Sequence, residues 1–168
     1  MTEKLYTHSF TSPLGEIHTA SVKEGIALIT LPGESKKSFA KIIATRFPEN
    51  EIVVGGAENK KAEKQINSFL NGKLRDFSIK LVITGTSFQK KILQKTAGIP
   101  YGKTLTYGTL AKKAGYPNAA RAVGAVMATN PFPLVIPCHR VVGRTGLQGY
   151  GGGLKMKRDL LTMEGADF

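Results

Sequence analysis

Residues 131–142 read PFPLVIPCHRVV, and the rest of the chain is organised around this stretch. It contains Cys138, the single cysteine of the 168 residues, after an apolar run and directly before His139. The thiolate is the reactive form of cysteine and nearby positive charge favours it, so a thiol beside an imidazole is a candidate nucleophile. A lone cysteine in an apolar sequence is, however, more often a small buried core residue. The remaining sequence has to decide between these two interpretations.

The composition limits the classes of protein to which the chain can belong. A length of 168 residues with 41% hydrophobic residues predicts one domain or two small ones with a buried core. One cysteine makes neither an internal disulfide nor a cysteine-rich zinc site, and the three widely separated histidines show no metal-binding spacing, so no metal and no cofactor is expected. The polar N-terminus has no apolar run of signal-peptide length, and no stretch reaches the length of a membrane span. We expect a cytoplasmic protein that does not bind a membrane.

The charge is concentrated in the half of the chain that contains the cysteine. The net charge is +12, and residues 84–168 carry 12 lysine and arginine residues against 3 acidic ones, a net +9. Such asymmetry indicates a polyanionic partner, with nucleic acid first and an acidic membrane surface second. General lysine enrichment for solubility or thermal stability is the competing explanation.

The first half is predicted to be an α/β domain spanning residues 1–83. Residues 5–11, 16–22 and 26–31 are predicted strands joined by short turns, which indicates an antiparallel meander. Helices are predicted over 35–46 and 58–70, with a short strand at 52–54 between them. No chemical motif is visible here, and the boundary to the second domain, residues 84–168, is placed near residue 84.

The second half is predicted to be mostly helical. One helix is predicted from about 87 to 97, capped by Thr86 or the residue after it, and Thr106 is a second predicted helix cap. Gly115 then ends a short helix and Pro117 opens another, a pattern typical of a helix-turn-helix. Residues 143–153 contain six glycines, and a final helix is predicted from about 154 to 164. Its predicted exposed residues are Lys155, Lys157 and Arg158.

The second helix of this pair has an unusual composition. Residues 119–128 read AARAVGAVMA, in which Arg121 is the single charged residue. A helix that reads the major groove usually displays several long polar side chains. A smooth face with one guanidinium favours close approach to a narrow surface such as the minor groove, although tight packing in a core would produce the same composition.

Taken together, these stretches resemble the O6-alkylguanine-DNA alkyltransferase family. The resemblance is carried by residues 101–111 (YGKTLTYGTLA), 119–124 (AARAVG), 130–131 (NP), 136–142 (IPCHRVV), 149–154 (GYGGGL) and 164–165 (EG). It implies an α+β fold, with a ribonuclease H-like N-terminal domain and a mostly helical C-terminal domain containing a helix-turn-helix. It covers roughly residues 86–165.

The family resemblance implies a single-turnover repair reaction on double-stranded DNA. A damaged guanine is flipped out of the duplex, and its O6-alkyl group passes irreversibly to Cys138. His139 acts as base through a water, and Glu164 orients it. Tyr107 donates a proton toward guanine O6, and Asn130 is a hinge next to the active-site loop. No cofactor is implied, and O4-alkylthymine is left open as a second substrate.

The resemblance also implies the residues that contact the substrate. Arg121 enters the base stack in place of the flipped guanine. The implied DNA contacts are Arg121, Ala119, Ala120, Tyr107, Met127 and Arg140. The implied guanine pocket consists of Pro133, Val141 through its carbonyl, Tyr150 and Gly151, where many family members carry serine at the position of Gly151.

Two other functions fit parts of the sequence. Non-catalytic alkyltransferase-like sensors flip the damaged base without repairing it, but they replace the cysteine, typically by tryptophan, and this chain has Cys138 and no tryptophan. A helix-turn-helix regulator would leave the Cys138 segment and Glu164 without a role. We therefore expect a monomeric alkyltransferase whose partner is double-stranded DNA containing O6-alkylguanine.

Overall fold

A computed structural model describes residues 1–33 and 36–168. The chain divides into two compact units, Met1–Val82 and Ile83–Phe168. Within the described residues, no helix is both long and apolar enough to cross a membrane.

The first unit is built on a four-stranded sheet within the described residues. Its strands are β1 (Lys4–Ser12), β2 (Gly15–Val22), β3 (Gly25–Thr30) and β4 (Glu51–Val54), in the order β3-β2-β1-β4. The first three strands pair antiparallel, as the predicted meander requires, and β4 pairs parallel with β1. The predicted strands are thus confirmed, with ends that differ by at most one residue.

Two helices supply the remaining core of this unit. The helix α1 (Lys36–Arg46) buries Phe39 and Ile43 against sheet residues such as Leu5. Position 35, the first residue of the predicted helix, lies outside the described residues. The helix α2 (Ala57–Leu70) buries an apolar stripe that includes Ile66 and Phe69, at the helical spacing seen in the sequence.

The second unit contains α3 (Ser87–Ala97), α4 (Tyr107–Lys113), α5 (Ala120–Ala128) and α6 (Leu154–Met163). Thr86 caps α3 in a reciprocal capping box with Gln89, and the Thr106 side chain caps α4 through the backbone N–H of Thr109. Both predicted caps are therefore confirmed. Two short parallel strands, β5 (Leu105–Thr106) and β6 (Val141–Val142), were not predicted from the sequence.

The predicted start of α5 is wrong by three residues. Pro117 does not open this helix, because a turn closed by the hydrogen bond from Ala119 N to Tyr116 O comes first. Proline fits the second position of such a turn because its φ is already close to the required value. The chain as a whole is a mixed α+β protein, as the sequence predicts.

Candidate active site

Strand pairing brings the cysteine segment next to the start of α4. Cys138 opens a short 3₁₀ helix (Cys138–Arg140) that leads directly into β6. In β6, Val141 and Val142 pair with Leu105 and Thr106 of β5. Since α4 begins at the next residue, this two-strand ladder fixes Tyr107 beside the Cys138 segment.

The turn before Cys138 is held by the side chain of Asn130. Its amide oxygen accepts a hydrogen bond from Phe132 N at 2.9 Å, and its Nδ2 donates to Ile136 O at 2.9 Å. Between them, the buried Leu134 has φ +73°, a left-handed conformation that costs a branched residue of order 1–3 kcal/mol. The two Asn130 hydrogen bonds therefore stabilise the strained turn that precedes Cys138. The hinge role of Asn130 stays a prediction.

The Cys138 thiol is buried, with 7% of its surface exposed. Burial raises the pKa of this thiol. A hydrogen bond with the Asn130 side chain, the positive charge of Lys157 and the backbone N–H groups of Cys138 and His139 act in the opposite direction. The thiol consequently stays protonated at rest, and a base must remove its proton before it can act as a nucleophile.

A buried carboxylate lies behind the neighbouring histidine. Glu164 Oε1 is 2.9 Å from His139 Nε2, and both side chains are fully buried. Burial lowers the pKa of His139 although the Glu164 carboxylate opposes this, so the imidazole is neutral and can accept a proton near pH 7. Burial would raise the pKa of Glu164, but hydrogen bonds from His139 and Arg140 lower it to about 2, so this carboxylate is ionised.

Arg140, predicted to contact DNA, is instead buried beside the same carboxylate. Its Nε and Nη2 donate to Glu164, with Nη2 at 2.6 Å from Oε1, and its Nη1 donates to Ile99 O at 2.7 Å. Its guanidinium is therefore occupied inside the unit rather than displayed to a polyanion, because Glu164 needs a buried counter-ion.

Lys157, predicted to be exposed, is fully buried. Its ammonium donates to Val141 O at 2.6 Å, Leu147 O at 2.5 Å and Gly149 O at 3.2 Å. The prediction is wrong because the glycine-rich loop covers a position that the sequence suggests lies on the polar face of α6. The loop supplies two of the three carbonyls, and β6 supplies the third.

A cavity of about 320 Å³ opens onto Cys138. It is lined by Tyr107, by Gly124, Met127 and Ala128 of α5, by Cys138, and by loop residues 149–151. Two of the predicted pocket residues, Tyr150 and Gly151, belong to this lining. Pro133 and Val141 are buried and do not line the cavity.

A groove of about 640 Å³ adjoins the cavity and shares Tyr107 and Gly124 with it. Arg121 and Ala120 line this groove at the start of α5, opposite Arg144 of the glycine-rich loop. The exposed side of α5 consists of small residues and Arg121, whereas Val123, Val126 and Met127 are buried. Core packing therefore accounts for the buried face of α5, and close approach of its exposed face to a narrow surface stays a prediction.

Two of the predicted DNA-contacting residues, Ala119 and Met127, are not fully exposed. Ala119 is half-buried at the N-terminal cap of α5. Met127 is buried, lines the cavity, and accepts a hydrogen bond at its sulfur from Thr96 at 3.7 Å. Its position thus suits contact with a group inside the cavity better than contact with a surface-bound strand.

Comparison with known proteins places the chain in a family. The protein-family model for the DNA-binding domain of 6-O-methylguanine DNA methyltransferase matches residues 87–166. A protein of Methanosarcina acetivorans named methylated-DNA–protein-cysteine methyltransferase is 38% identical over 163 residues, which are 96% of this chain and 99% of that protein. The chain belongs to the methylated-DNA–protein-cysteine methyltransferase family. The resemblance seen in the sequence is confirmed.

Solved structures of methyltransferases extend the likeness to the fold. A crystal structure of Mycobacterium tuberculosis OGT in complex with DNA superposes with a TM-score of 0.81 at 32% identity, over 95% of this chain and 92% of that one. The O6-methylguanine-DNA methyltransferase of the hyperthermophilic archaeon Pyrococcus kodakaraensis superposes with a TM-score of 0.68 at 27% identity, over 96% and 99%.

One residue of this methyltransferase site escaped the sequence-based reasoning. Lys157 lies on α6 between the exposed Lys155 and Arg158, and its residue type does not separate it from them. The available signal was spacing, since Lys157 is three residues before Leu160 and four before Leu161, both of which are buried. Positions three and four apart share a helix face, so Lys157 belongs to the buried side.

Proposed function

We propose that the protein repairs alkylated DNA by moving the alkyl group of an O6-alkylguanine in double-stranded DNA to its own Cys138. The observation that carries this proposal is the buried series Cys138–His139–Glu164 at the wall of a cavity. It combines a protonated thiol, a neutral imidazole and an ionised carboxylate. Nucleophile, base and orienting group are the parts that a displacement by sulfur requires.

His139 removes the thiol proton through an intervening water, and the Glu164 carboxylate stabilises the imidazolium that forms. The sulfur attacks the alkyl carbon, the S–C bond forms, and the C–O6 bond breaks with its electron pair going to the guanine. The base leaves as neutral guanine once it has gained a proton. The Tyr107 phenol supplies that proton, and the His139 imidazolium returns the thiol proton to the resulting phenolate through water. Overall, Cys138 loses one hydrogen, guanine gains one, and the alkyl group stays on sulfur, because no step hydrolyses the S–C bond.

Tyr107 is the proposed donor of the proton that the leaving base receives. Burial raises the pKa of its phenol, and the neighbouring Cys138 raises it further. The phenol therefore remains protonated at the cavity wall, which a donor to a developing oxyanion must be. Within the described residues, the buried Tyr150 hydroxyl has no hydrogen-bond partner, so a polar base edge in the cavity would satisfy it.

The groove beside the cavity is the proposed path of the DNA. We assign α4 and α5 to a helix-turn-helix whose second helix enters the minor groove with its small residues. Arg121 is then the side chain that takes the place of the extruded base. Ala119 and Ala120 permit close approach of the backbone, and the flipped guanine reaches Cys138 between Tyr107 and Tyr150. The second domain, residues 84–168, carries these functions, and the protein acts as a monomer.

The first domain, residues 1–83, is proposed to be ribonuclease H-like. The sheet order β3-β2-β1-β4, with three antiparallel strands and β4 parallel to β1, supports this assignment. We assign it no part in the chemistry.

The proposal predicts that repair stops after one event per molecule. When the protein is mixed with an excess of duplex that contains one O6-methylguanine, we expect one equivalent of guanine to be restored per protein, because the S–C bond is not hydrolysed. Quantifying the nucleosides after digestion of the DNA measures this. Continued turnover, or no restored guanine, would contradict the proposal.

Arg121→Ala is predicted to slow repair in duplex DNA roughly 30-fold or more, because extruding a stacked base costs a few kcal/mol that the inserted side chain offsets. Transfer from free O6-benzylguanine, which needs no extrusion, should be nearly unchanged. The measurement is the single-turnover rate on both substrates. Lys95→Ala removes the same charge from an exposed site on α3 and should leave the ratio of the two rates unchanged. Equal losses on both substrates in Arg121→Ala would rule out the insertion role.

A non-catalytic sensor remains the second candidate function. It shares the cavity, the groove and Arg121, and it differs in lacking transfer. The protonated thiol beside a neutral base disfavours it, since a sensor needs neither.

A further inference from the structure

Lys157 is a buried cation that the reaction described above does not use. Its side chain is fully buried, and its ammonium donates to three backbone carbonyls. In the part of the chain that the structure describes, no carboxylate pairs with it. A buried charge without a counter-ion weakens a fold unless its hydrogen bonds compensate, so its presence here calls for a reason.

The three carbonyls belong to two of the segments that contribute to the cavity wall, the Cys138 segment with β6 and the glycine-rich loop. Val141 follows Cys138 by three residues in β6, whereas Leu147 and Gly149 lie in the glycine-rich loop. The residues that follow in the loop, Tyr150 and Gly151, line the cavity. One ammonium thus joins the segment of the nucleophile to the loop that closes over it.

The positive charge of Lys157 has no paired carboxylate among the described residues, unlike that of the nearby Arg140. The Arg140 guanidinium is matched by Glu164, so this pair contributes little net charge to the site. Burial lowers the pKa of Lys157 to about 8, and its attraction to Cys138 opposes this. The ammonium is consequently still protonated at neutral pH, and its charge favours the thiolate form of Cys138.

We propose that Lys157 is a positioning residue of the transfer reaction, which fastens the 143–151 loop over the cavity and holds an unpaired positive charge against Cys138. The assignment rests on the proposed transfer at Cys138 and adds a residue to it. The thiolate that forms on proton removal is otherwise met by the neutral phenols of Tyr107 and Tyr150 and by His139. His139 becomes charged only after it has taken the thiol proton, so Lys157 is the cation among these groups that favours the ionisation of Cys138 beforehand.

The single cysteine allows a test that does not depend on DNA. Iodoacetamide can alkylate no thiol except Cys138, so its rate of labelling against pH reports the ionisation of that thiol alone. In Lys157→Met, we expect the midpoint of this profile to move to higher pH and labelling near pH 7 to slow roughly tenfold. Lys157→Arg should keep the midpoint of the unmodified protein. Hydrogen exchange of the amides of residues 143–151 should speed up in Lys157→Met.

Lys155→Met is the matched control, because it removes the same charge from the same helix at an exposed site. It should change neither the labelling midpoint nor the exchange of the loop. Where Lys157→Met does not fold, as judged by circular dichroism, Lys157→Gln gives the same comparison. An unchanged midpoint in the folded neutral variant, or an equal shift in Lys155→Met, would overturn the inference.

A parallel transfer assay with methylated duplex separates this inference from the proposed function. Transfer by the unmodified protein together with an unchanged labelling midpoint in Lys157→Met would contradict the role of Lys157 and leave the repair function standing. A shifted midpoint without any transfer by the unmodified protein would contradict the repair function and, with it, the assignment of Lys157 to that reaction.

Discussion

Replacing Cys138 with serine is expected to abolish alkyl transfer while leaving the affinity for DNA nearly unchanged. A hydroxyl is far harder to ionise than a thiol and is a much weaker nucleophile toward an alkyl carbon, so the neighbouring base cannot rescue it. The variant keeps the cavity, the groove and Arg121, which are proposed to bind the DNA.

The measurement combines two assays on the same duplex. Transfer of a radioactive methyl group from O6-methylguanine to the protein should fall to background in Cys138→Ser, and the dissociation constant for the duplex should match that of the unmodified protein. An otherwise identical duplex with unmodified guanine controls for non-specific binding. Residual transfer in the serine variant would mean that another residue accepts the alkyl group.

The second large effect is expected from Glu164→Gln. Its carboxylate is shared by His139 and Arg140 in the interior of the second unit, and the neutral amide leaves the guanidinium without a counter-ion. Removing one partner of a buried pair destabilises strongly. Loss of the group that stabilises the imidazolium should also slow transfer by roughly 100-fold.

The pH dependence of the free energy of unfolding shows whether the stability lost in Glu164→Gln comes from the ionised carboxylate or from general disruption of the fold. The folded pKa of Glu164 is about 2, below its usual 4.5. Its ionised form therefore stabilises the fold by about 3 kcal/mol above pH 4.5, and this contribution is lost as the pH falls through about 2. The difference in free energy of unfolding between Glu164→Gln and the unmodified protein should be largest near pH 7 and shrink steadily below pH 4.5.

Urea unfolding at a series of pH values measures this difference. Asp159→Asn is the matched control, because Asp159 lies on the same helix and pairs with Lys155 at the surface. Exposed pairs contribute little, so its free energy of unfolding should stay close to that of the unmodified protein at every pH. A difference for Glu164→Gln that persists undiminished at pH 3 would mean that the carboxylate is not ionised in the fold.

The elements that follow local rules were predictable from the sequence. Thr86 and Thr106 cap helices because a side-chain oxygen can reach the free N–H groups of the first turn, and the strands of the meander are separated by clear turn signals. The candidate site was identified by motif resemblance rather than by periodicity, since Glu164 reads as an ordinary surface carboxylate.

The wrong or missing predictions concern residues whose surroundings come from segments distant in the sequence. Arg140 was predicted to contact DNA and Lys157 to be exposed. Both are buried, because a carboxylate 24 residues from Arg140, and carbonyls of β6 and of the glycine-rich loop 8 to 16 residues from Lys157, provide their partners. The β5–β6 ladder was missed because two-residue strands carry no alternating pattern. Helical spacing could have placed Lys157 on the buried face of α6, but the partners of its long-range hydrogen bonds leave no local signal.

The central claim is that Cys138 is the acceptor of the alkyl group, and the mass of the peptide that contains it tests this most directly. After incubation with an equimolar duplex containing O6-methylguanine, the protein is digested and its peptides are weighed. The account predicts that the Cys138 peptide gains the mass of one methyl group in exchange for the thiol hydrogen, in proportion to the guanine restored. A Cys138 peptide of unchanged mass, after exposure to methylated DNA that the protein binds, would contradict it.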